Sequence, residues 1–308
     1  MKLYINKPKE NWVVDRFIKE WNTLNHKTSN NFYFGKKVIW LISPWTWKKI
    51  PLYFLKKNKV ICTIHHIDED KFNNEEASNF INRDNIVDLY HVISDKTYKQ
   101  VNKLTTKPII NFPFWVNQNL WKPIKKKHYI YKKYGLTKEG FYVGSFQRDT
   151  EGSDLTSPKL SKGPDQFLTI VKELNRNTKG GVTVILTGKR RNYLIQNLEK
   201  ENIKYKYFQM VSFEDLNELY NILNLYVVSS RFEGGPQSIM ECAITKTPII
   251  STDVGIASEI LSPRSIYTMD NFKNAKPDIK TAYRNVQKYL VPTGFNNFNL
   301  AIKELYES

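Results

Sequence analysis

The stretch Ser229-Ser230-Arg231-Phe232-Glu233-Gly234-Gly235-Pro236-Gln237-Ser238-Ile239-Met240-Glu241 narrows what this chain can fold into more than any other. Ahead of it, Leu223 to Val228 is a short apolar run rich in branched and aromatic residues, the composition of a strand buried on both faces of a parallel sheet. Gly234-Gly235 then permits a tight turn and close backbone approach. Pro236 stands where a first helical residue is favoured, because its missing N–H would be unpaired there anyway. The first turn of such a helix exposes free N–H groups at the positive end of a dipole, a seat suited to a phosphate or diphosphate. Glu233 lies at the lip of that seat and Glu241 on the helix, with seven residues between them. That spacing alone is common by chance.

The order strand, Ser-Arg-Phe-Glu-Gly-Gly-Pro, helix with Glu241, then Thr247-Pro248-Ile249-Ile250-Ser251-Thr252-Asp253-Val254-Gly255 resembles the donor-site signature of family-4 retaining glycosyltransferases with the GT-B fold. The resemblance implies an α/β protein of two Rossmann-like domains facing across a cleft. It also implies that Glu233 faces the hydroxyls of a transferred sugar and that Glu241 holds the ribose of a nucleotide-sugar donor. Gly234, Gly235, Pro236, Gln237 and Ser238 then seat the diphosphate. Two solvated helix carboxylates are the plain alternative for the glutamates.

A chain of 308 residues that is 41% hydrophobic can bury two ordinary cores, since soluble domains usually run to about 100–200 residues. Cys62 and Cys242 give neither metal nor disulfide spacing, so a reducing cytoplasm is expected. The start Met1 to Pro8 has no long apolar region, and nowhere do about 18 apolar residues run together. The net charge of +17 implies attraction to anions without choosing among nucleic acid, anionic lipid headgroups and phosphorylated substrates.

Met1 to Ile5 and Val38 to Ile42 read as strands around the helix-spaced Glu10 to Leu24. Lys59 to Ile67, Ile86 to Ser94 and Pro108 to Phe112 continue the pattern, with helix-compatible Asp70 to Ile81 and Asp95 to Leu104 between them. In such a sheet the residues just after each strand face the ligand crevice. Asn11 to Arg16 enters the first helix, where similar proteins place an acceptor-facing loop. Thr63-Ile64-His65-His66 ends a strand in two histidines, which alternation turns to opposite sides. His65 matches the family position close to the transferred sugar, where a histidine hydrogen-bonds a hydroxyl or the departing phosphate; a satisfied strand-end histidine is the alternative. Asp68-Glu69-Asp70 looks like the metal triplet of the other large glycosyltransferase fold. Acidic residues also cap helix starts, and capping is the expectation here, with no metal.

The seven tryptophans, Trp12, Trp21, Trp40, Trp45, Trp47, Trp115 and Trp121, all precede the basic run Lys125 to Lys127. That change of composition places a boundary after Ile124. Residues 1–124 are then the acceptor-side domain and 125–308 the donor domain, with the terminal helix Asn297 to Tyr306 returning toward the first. Trp45 and Trp47 lie near Lys48, Lys49, Lys56 and Lys57. Core packing is the default for them, and a lipid headgroup layer or a sugar ring is the alternative.

Phe141 to Phe146 is a strand ending in small residues, including Gly144. Gln147-Arg148-Asp149, a polar loop and Pro158 to Pro164 follow. This too resembles the family, whose members place an arginine and a lysine from such positions on the donor diphosphate; the transfer falls on Arg148 and Lys162, with Gly144 at the donor. Negative charge builds on the leaving oxygens as the glycosyl bond breaks, and fixed cations with helix N–H groups stabilise it without a metal. Arg191, after the strand Val182 to Leu186, is a third candidate for phosphate. Tyr207 and Phe208 occupy the segment that touches the base in similar proteins; they stack on it or pack the sheet, and Phe208 is assigned to the donor.

The resemblance thus implies a metal-independent, cofactor-free transferase moving a hexose-like sugar from a nucleotide diphosphate sugar to a glycan or glycolipid acceptor with retention. A cytoplasmic location with peripheral contact to the inner face of an anionic membrane, and no nucleic-acid partner, completes the expectation. A sugar-nucleotide epimerase would share the donor site, and a nucleic-acid-binding protein would explain the charge. Against the latter, no single-strand or helix-turn-helix motif is present.

Overall fold

The branched apolar runs form strands because both of their faces are covered. The computed structural model describes residues 2–9, 13–25, 29–30 and 37–308. Contacts divide the chain into two units, Met1–Trp115 with Val291–Ser308, and Val116–Leu290.

The first unit runs β1 (Leu3–Ile5), α1 (Val13–Leu24), β2 (Ser29–Asn30), β3 (Val38–Leu41), α2 (Leu52–Lys56), β4 (Lys59–Ile64), α3 (Asn74–Asp84), β5 (Leu89–Val92), α4 (Asp95–Val101) and β6 (Ile109–Asn111). The strands lie in the order β2-β1-β3-β4-β5-β6, every pair parallel. All four side chains of β3 are buried, and they alternate between the two faces as the pleat requires. Val38 and Trp40 pack with Phe17, Trp21 and Trp115 on one face, and Ile39 and Leu41 with Leu55, Cys62 and Phe80 on the other. The C-terminal helix Asn296–Glu307 closes the first of these layers. Its Phe298 ring lies 5.0 Å from Trp40, 4.8 Å from His91 and 4.6 Å from Phe112.

Several sequence expectations meet a different local structure here. Asn11 and Trp12 lie outside the described residues. Asp68 heads a 3-10 turn, Glu69–Lys71, with no side-chain cap, and α3 starts later, capped by Asn73 through bonds of 3.0 Å from the Glu75 and Glu76 amides. The acidic triplet therefore caps no helix; Glu69 instead accepts from Gln100 Nε2 at 2.9 Å. Trp21, Trp40, Trp115 and Trp121 are core residues, whereas Trp45 is exposed.

The second unit continues with α5 (His128–Lys133), β7 (Tyr142–Ser145), α6 (Pro164–Asn177), β8 (Thr183–Thr187), α7 (Asn192–Lys200), β9 (Lys204–Phe208), α8 (Phe213–Ile222), β10 (Leu225–Val228), α9 (Gln237–Thr245), β11 (Ile249–Thr252), α10 (Ala257–Ile260), β12 (Ile266–Tyr267) and α11 (Ile279–Val286). Its all-parallel order is β12-β11-β10-β7-β8-β9. From β7 the chain winds outward through β8 and β9, then returns to β10 and winds the other way. The crevice at the carboxyl ends of β7 and β10 is thus a topological switch point, where such sheets bind ligands. The change of unit falls at Trp115–Val116, ahead of the expected Ile124. Val116 donates to Tyr289 O at 2.9 Å, and the Lys122 and Ile124 amides donate to Asn217 and Asn221 of α8 at 3.0 and 2.7 Å.

Candidate functional site

Two loops leave the switch point, one after β7 and one after β10, and backbone contacts lock them together. Gly163 makes this possible. It sits at φ +60, and a Cβ on it would fall 1.8 Å from Ser229 O, so only glycine fits. The Arg231 and Phe232 amides donate to Ser161 O at 2.9 and 3.1 Å. Arg231 also grips Asp165 through two bonds of 2.8 and 2.6 Å. Gln147 Nε2 donates to Lys162 O at 2.9 Å, Ser230 Oγ to Gln147 Oε1 at 3.3 Å, and Thr252 Oγ1 to Ser230 O at 2.6 Å.

This lattice brings Lys162 and Glu233 into an ion pair, both side chains half-buried, with Ser230 Oγ 3.3 Å from the same carboxylate oxygen. Beyond Glu233, Gly234 and Gly235 press against Gly255, where a Cβ would lie 2.2 Å from Gly234 O. The chain then enters α9. Pro236 occupies the N-cap position rather than the first helical one, and no side chain caps the helix. The opening N–H groups of a helix have no intrahelical partner. Gln237 Oε1 is buried there without a hydrogen-bond partner among the described residues. Ser238 lies against the Tyr226 phenol. One turn on, Glu241 is only 4% exposed and accepts from the Tyr220 hydroxyl at 2.9 Å.

The remaining candidates separate. Arg148 is exposed at the end of β7 and carries no ion pair among the described residues. Arg191 is fully buried, with Nε 3.0 Å from Asp149 Oδ2, Nη1 donating to Thr187 O at 3.3 Å and Nη2 to Ser145 Oγ at 3.4 Å. The guanidinium expected on phosphate is thus committed to partners inside the unit. Burial pushes the Asp149 carboxyl up to about 6, against the pull of Arg191 and the amides of Leu194 and Tyr193. Together the pair anchors the residue next to Arg148. Gly144 is likewise a packing residue, for a Cβ there would meet Leu223 Cδ1 at 2.3 Å. Phe208 is half-buried with its ring 5.1 Å from that of Tyr134, which favours sheet packing over an open stacking face.

In the first unit His65 directly follows β4, half-buried, with Nε2 donating to Ile42 O at 2.8 Å and its ring stacked 5.8 Å from Phe114, while His66 is exposed. Burial holds His65 down at about 4, the Ile42 carbonyl opposing and His66 adding to the shift. His91 is more deeply placed. Its Nε2 donates to Phe112 O at 2.8 Å, so Nδ1 accepts from Thr63 Oγ1 at 3.0 Å, and that oxygen accepts from Trp40 Nε1 at 2.9 Å. Among the described residues no group of three His, Cys, Asp or Glu side chains is placed to hold a metal.

Sequence reasoning missed Tyr220, Gln147 and Asp149. Nothing local marks Tyr220, which meets Glu241 from another helix. Gly163 carried a signal, a glycine directly before the proline that opens α6.

Residues 158–288 match the family model of glycosyl transferases group 1. No curated protein sequence matches the chain. Among solved structures, HepE from Anabaena in complex with UDP and glucose superposes with a TM-score of 0.74 at 13% identity, over 99% of this chain and 100% of that one. Sucrose-phosphate synthase from Thermosynechococcus elongatus gives 0.68 at 14%, over 98% and 79%. A glycosyltransferase from Rickettsia africae gives 0.63 at 16%, over 98% and 84%.

Proposed function

We propose, because the chain has the GT-B fold and residues 158–288 match the family model of glycosyl transferases group 1, that this protein is a retaining glycosyltransferase. It moves a hexose-like sugar from a nucleotide diphosphate sugar to a glycan or glycolipid acceptor. The observation that carries this reading is the Lys162–Glu233 ion pair just ahead of the uncapped start of α9, at the switch point of the second sheet, with the buried Glu241 further along the same helix.

In this reading the N–H groups of Gly234, Gly235, Gln237 and Ser238 and the cations of Arg148 and Lys162 hold the diphosphate, Glu233 the sugar hydroxyls and Glu241 the ribose. The acceptor oxygen bonds to the anomeric carbon on the face from which the phosphate oxygen leaves, and the acceptor proton passes to that leaving phosphate. The protein's part is to hold the reactants in line and to neutralise the growing charge. No cofactor takes part, and the nucleotide sugar is a substrate. The HepE complex with UDP and glucose makes a uridine donor the first to test. The test is thermal stabilisation by UDP, GDP, ADP and CMP conjugates, since ligand at about 100 times its dissociation constant adds about 2.7 kcal/mol. Transfer assays with the best donor follow, and stabilisation by none of them rejects the reading.

The acceptor, in the same proposal, is presented at the cytoplasmic face of an anionic membrane. Trp45, Leu52 and Tyr53 are 44%, 51% and 60% exposed in the first unit, on a segment that also exposes Lys48, Lys49, Lys56 and Lys57. Aromatic rings and lysines together suit a headgroup layer, each lysine contributing about 1 kcal/mol near an anionic surface. No helix among the described residues is long and apolar enough to cross a membrane.

A further inference from the structure

We propose that Tyr220 is the positioning residue for the Glu241 carboxylate and thereby sets how strongly the protein prefers a ribonucleoside diphosphate over its 2′-deoxy counterpart. The inference rests on the donor reading above, in which Glu241 receives the ribose hydroxyls.

A glutamate's terminal torsion is broad, so α9 alone leaves the plane of the Glu241 carboxylate loose. A ribose presents neighbouring hydroxyls, and both bond well to one carboxylate only if its plane is fixed. Tyr220 supplies the constraint from α8, donating to Oε2 at 2.9 Å. Its ring is itself held, 4.9 Å from Phe146, 5.5 Å from Tyr226 and 5.8 Å from Trp121. Thr247 Oγ1 donates to Tyr220 O at 2.8 Å, tying the residue to the turn after α9. Burial, reinforced by the Glu241 charge, raises the phenol far above its ordinary range, so it remains a donor. A carboxylate offers about four acceptor sites, and the bond from the rigid phenol takes one of them.

The plainer role, a hydroxyl that merely satisfies a buried charge, predicts lower stability in its absence and no change in ribose selectivity. Calorimetry on the intact chain separates the two. The probes are the best-binding of UDP, GDP and ADP and its 2′-deoxy form, against wild type, Tyr220→Phe and Glu241→Ala. Wild type should favour the ribonucleotide by about tenfold or more, because a site built for a hydroxyl rejects the analogue lacking it. Tyr220→Phe should bring that ratio to within about threefold by weakening the ribonucleotide alone. In the Glu241→Ala background Tyr220→Phe should change nothing further. Should Tyr220→Phe melt too low to assay, Glu241→Gln and its combination with Tyr220→Phe replace it, and the same fall in ratio is expected between them. An unchanged ratio in either comparison overturns the proposal, whatever happens to the melting temperature. Binding by wild type without ribose preference sinks it while leaving the donor reading intact; no nucleotide binding at all removes both.

Discussion

Lys162 donates to Glu233 Oε1 across 71 residues of sequence, a pairing that exists only because the loops after β7 and β10 are bonded to each other. A diphosphate is a second acceptor for the same ammonium. In the proposed function, donor binding and the ion pair compete for Lys162 or share it. We expect Lys162→Ala to lower turnover by about 100-fold or more, the usual cost of removing one charge-stabilising donor. Glu233→Ala should lower turnover more than affinity for the bare nucleoside diphosphate, whereas Glu241→Ala should weaken the bare nucleotide itself. Calorimetry beside steady-state rates checks the split, and equal losses in both glutamate variants would reject the role assignment.

Activity should survive chelation. In the proposed function Arg148, Lys162 and the α9 N–H groups take the place of the positive charge that a divalent ion supplies elsewhere. Rates measured in EDTA should match those with added magnesium or manganese. A loss that metal restores would return attention to the acidic triplet Asp68-Glu69-Asp70.

Acid should weaken the first unit ahead of the second. Burial holds His65 at about 4 and His91 at about 3, against 6.5 for an ordinary histidine. Between those values the unfolded chain binds more protons than the folded one. The stability of the neutral rings is thus complete above pH 6.5 and is lost as pH falls toward 4, by up to about 1.4 kcal/mol per unit for each ring. Asp149, raised to about 6 by burial, runs the other way: its folded form takes the proton first, so its cost recedes as pH falls below about 6. Tryptophan fluorescence melts from pH 7 to 4 should show a steep fall, reduced by His91→Gln. A flat melting temperature over that window would contradict the buried, neutral assignment.

Gly163→Ala should destabilise the second unit by about 2–4 kcal/mol and abolish nucleotide binding, because its Cβ would displace the Ser229 carbonyl. Gly180 is the control. It too has positive φ, +81, but open space around it, so alanine there should cost only the backbone strain of about 1–2 kcal/mol. Equal melting temperatures for the two variants would show that the loop contact is not what Gly163 secures.

Vesicle flotation tests the membrane proposal. Intact protein should float with anionic vesicles at low salt and be released by high salt, and changing Lys48, Lys49, Lys56 and Lys57 to glutamine should abolish flotation. Failure of the intact protein to bind would make a soluble or polymeric acceptor the better reading.

The sequence alone determined what depends on short-range pattern. Runs such as Val38 to Leu41 and Leu225 to Val228 are apolar on both faces and had to be covered parallel strands, and Gly234-Gly235-Pro236 had to turn into a helix, within one residue of where it does. What pairs across the fold was decided by tertiary structure. Arg148 and Arg191 look alike in sequence, yet one is exposed and the other buried, because the Asp149 carboxylate meets Arg191 from a different loop. Gly144 reads as a backbone seat for a ligand until the Leu223 side chain fills the space beside it. Glu241 was legible on its helix, but the phenol that orients it comes from α8, and no periodicity records which side chain of one helix will meet a carboxylate on the next. Local propensity acts through neighbours in the chain, whereas burial, ion pairing and steric exclusion act through neighbours in space.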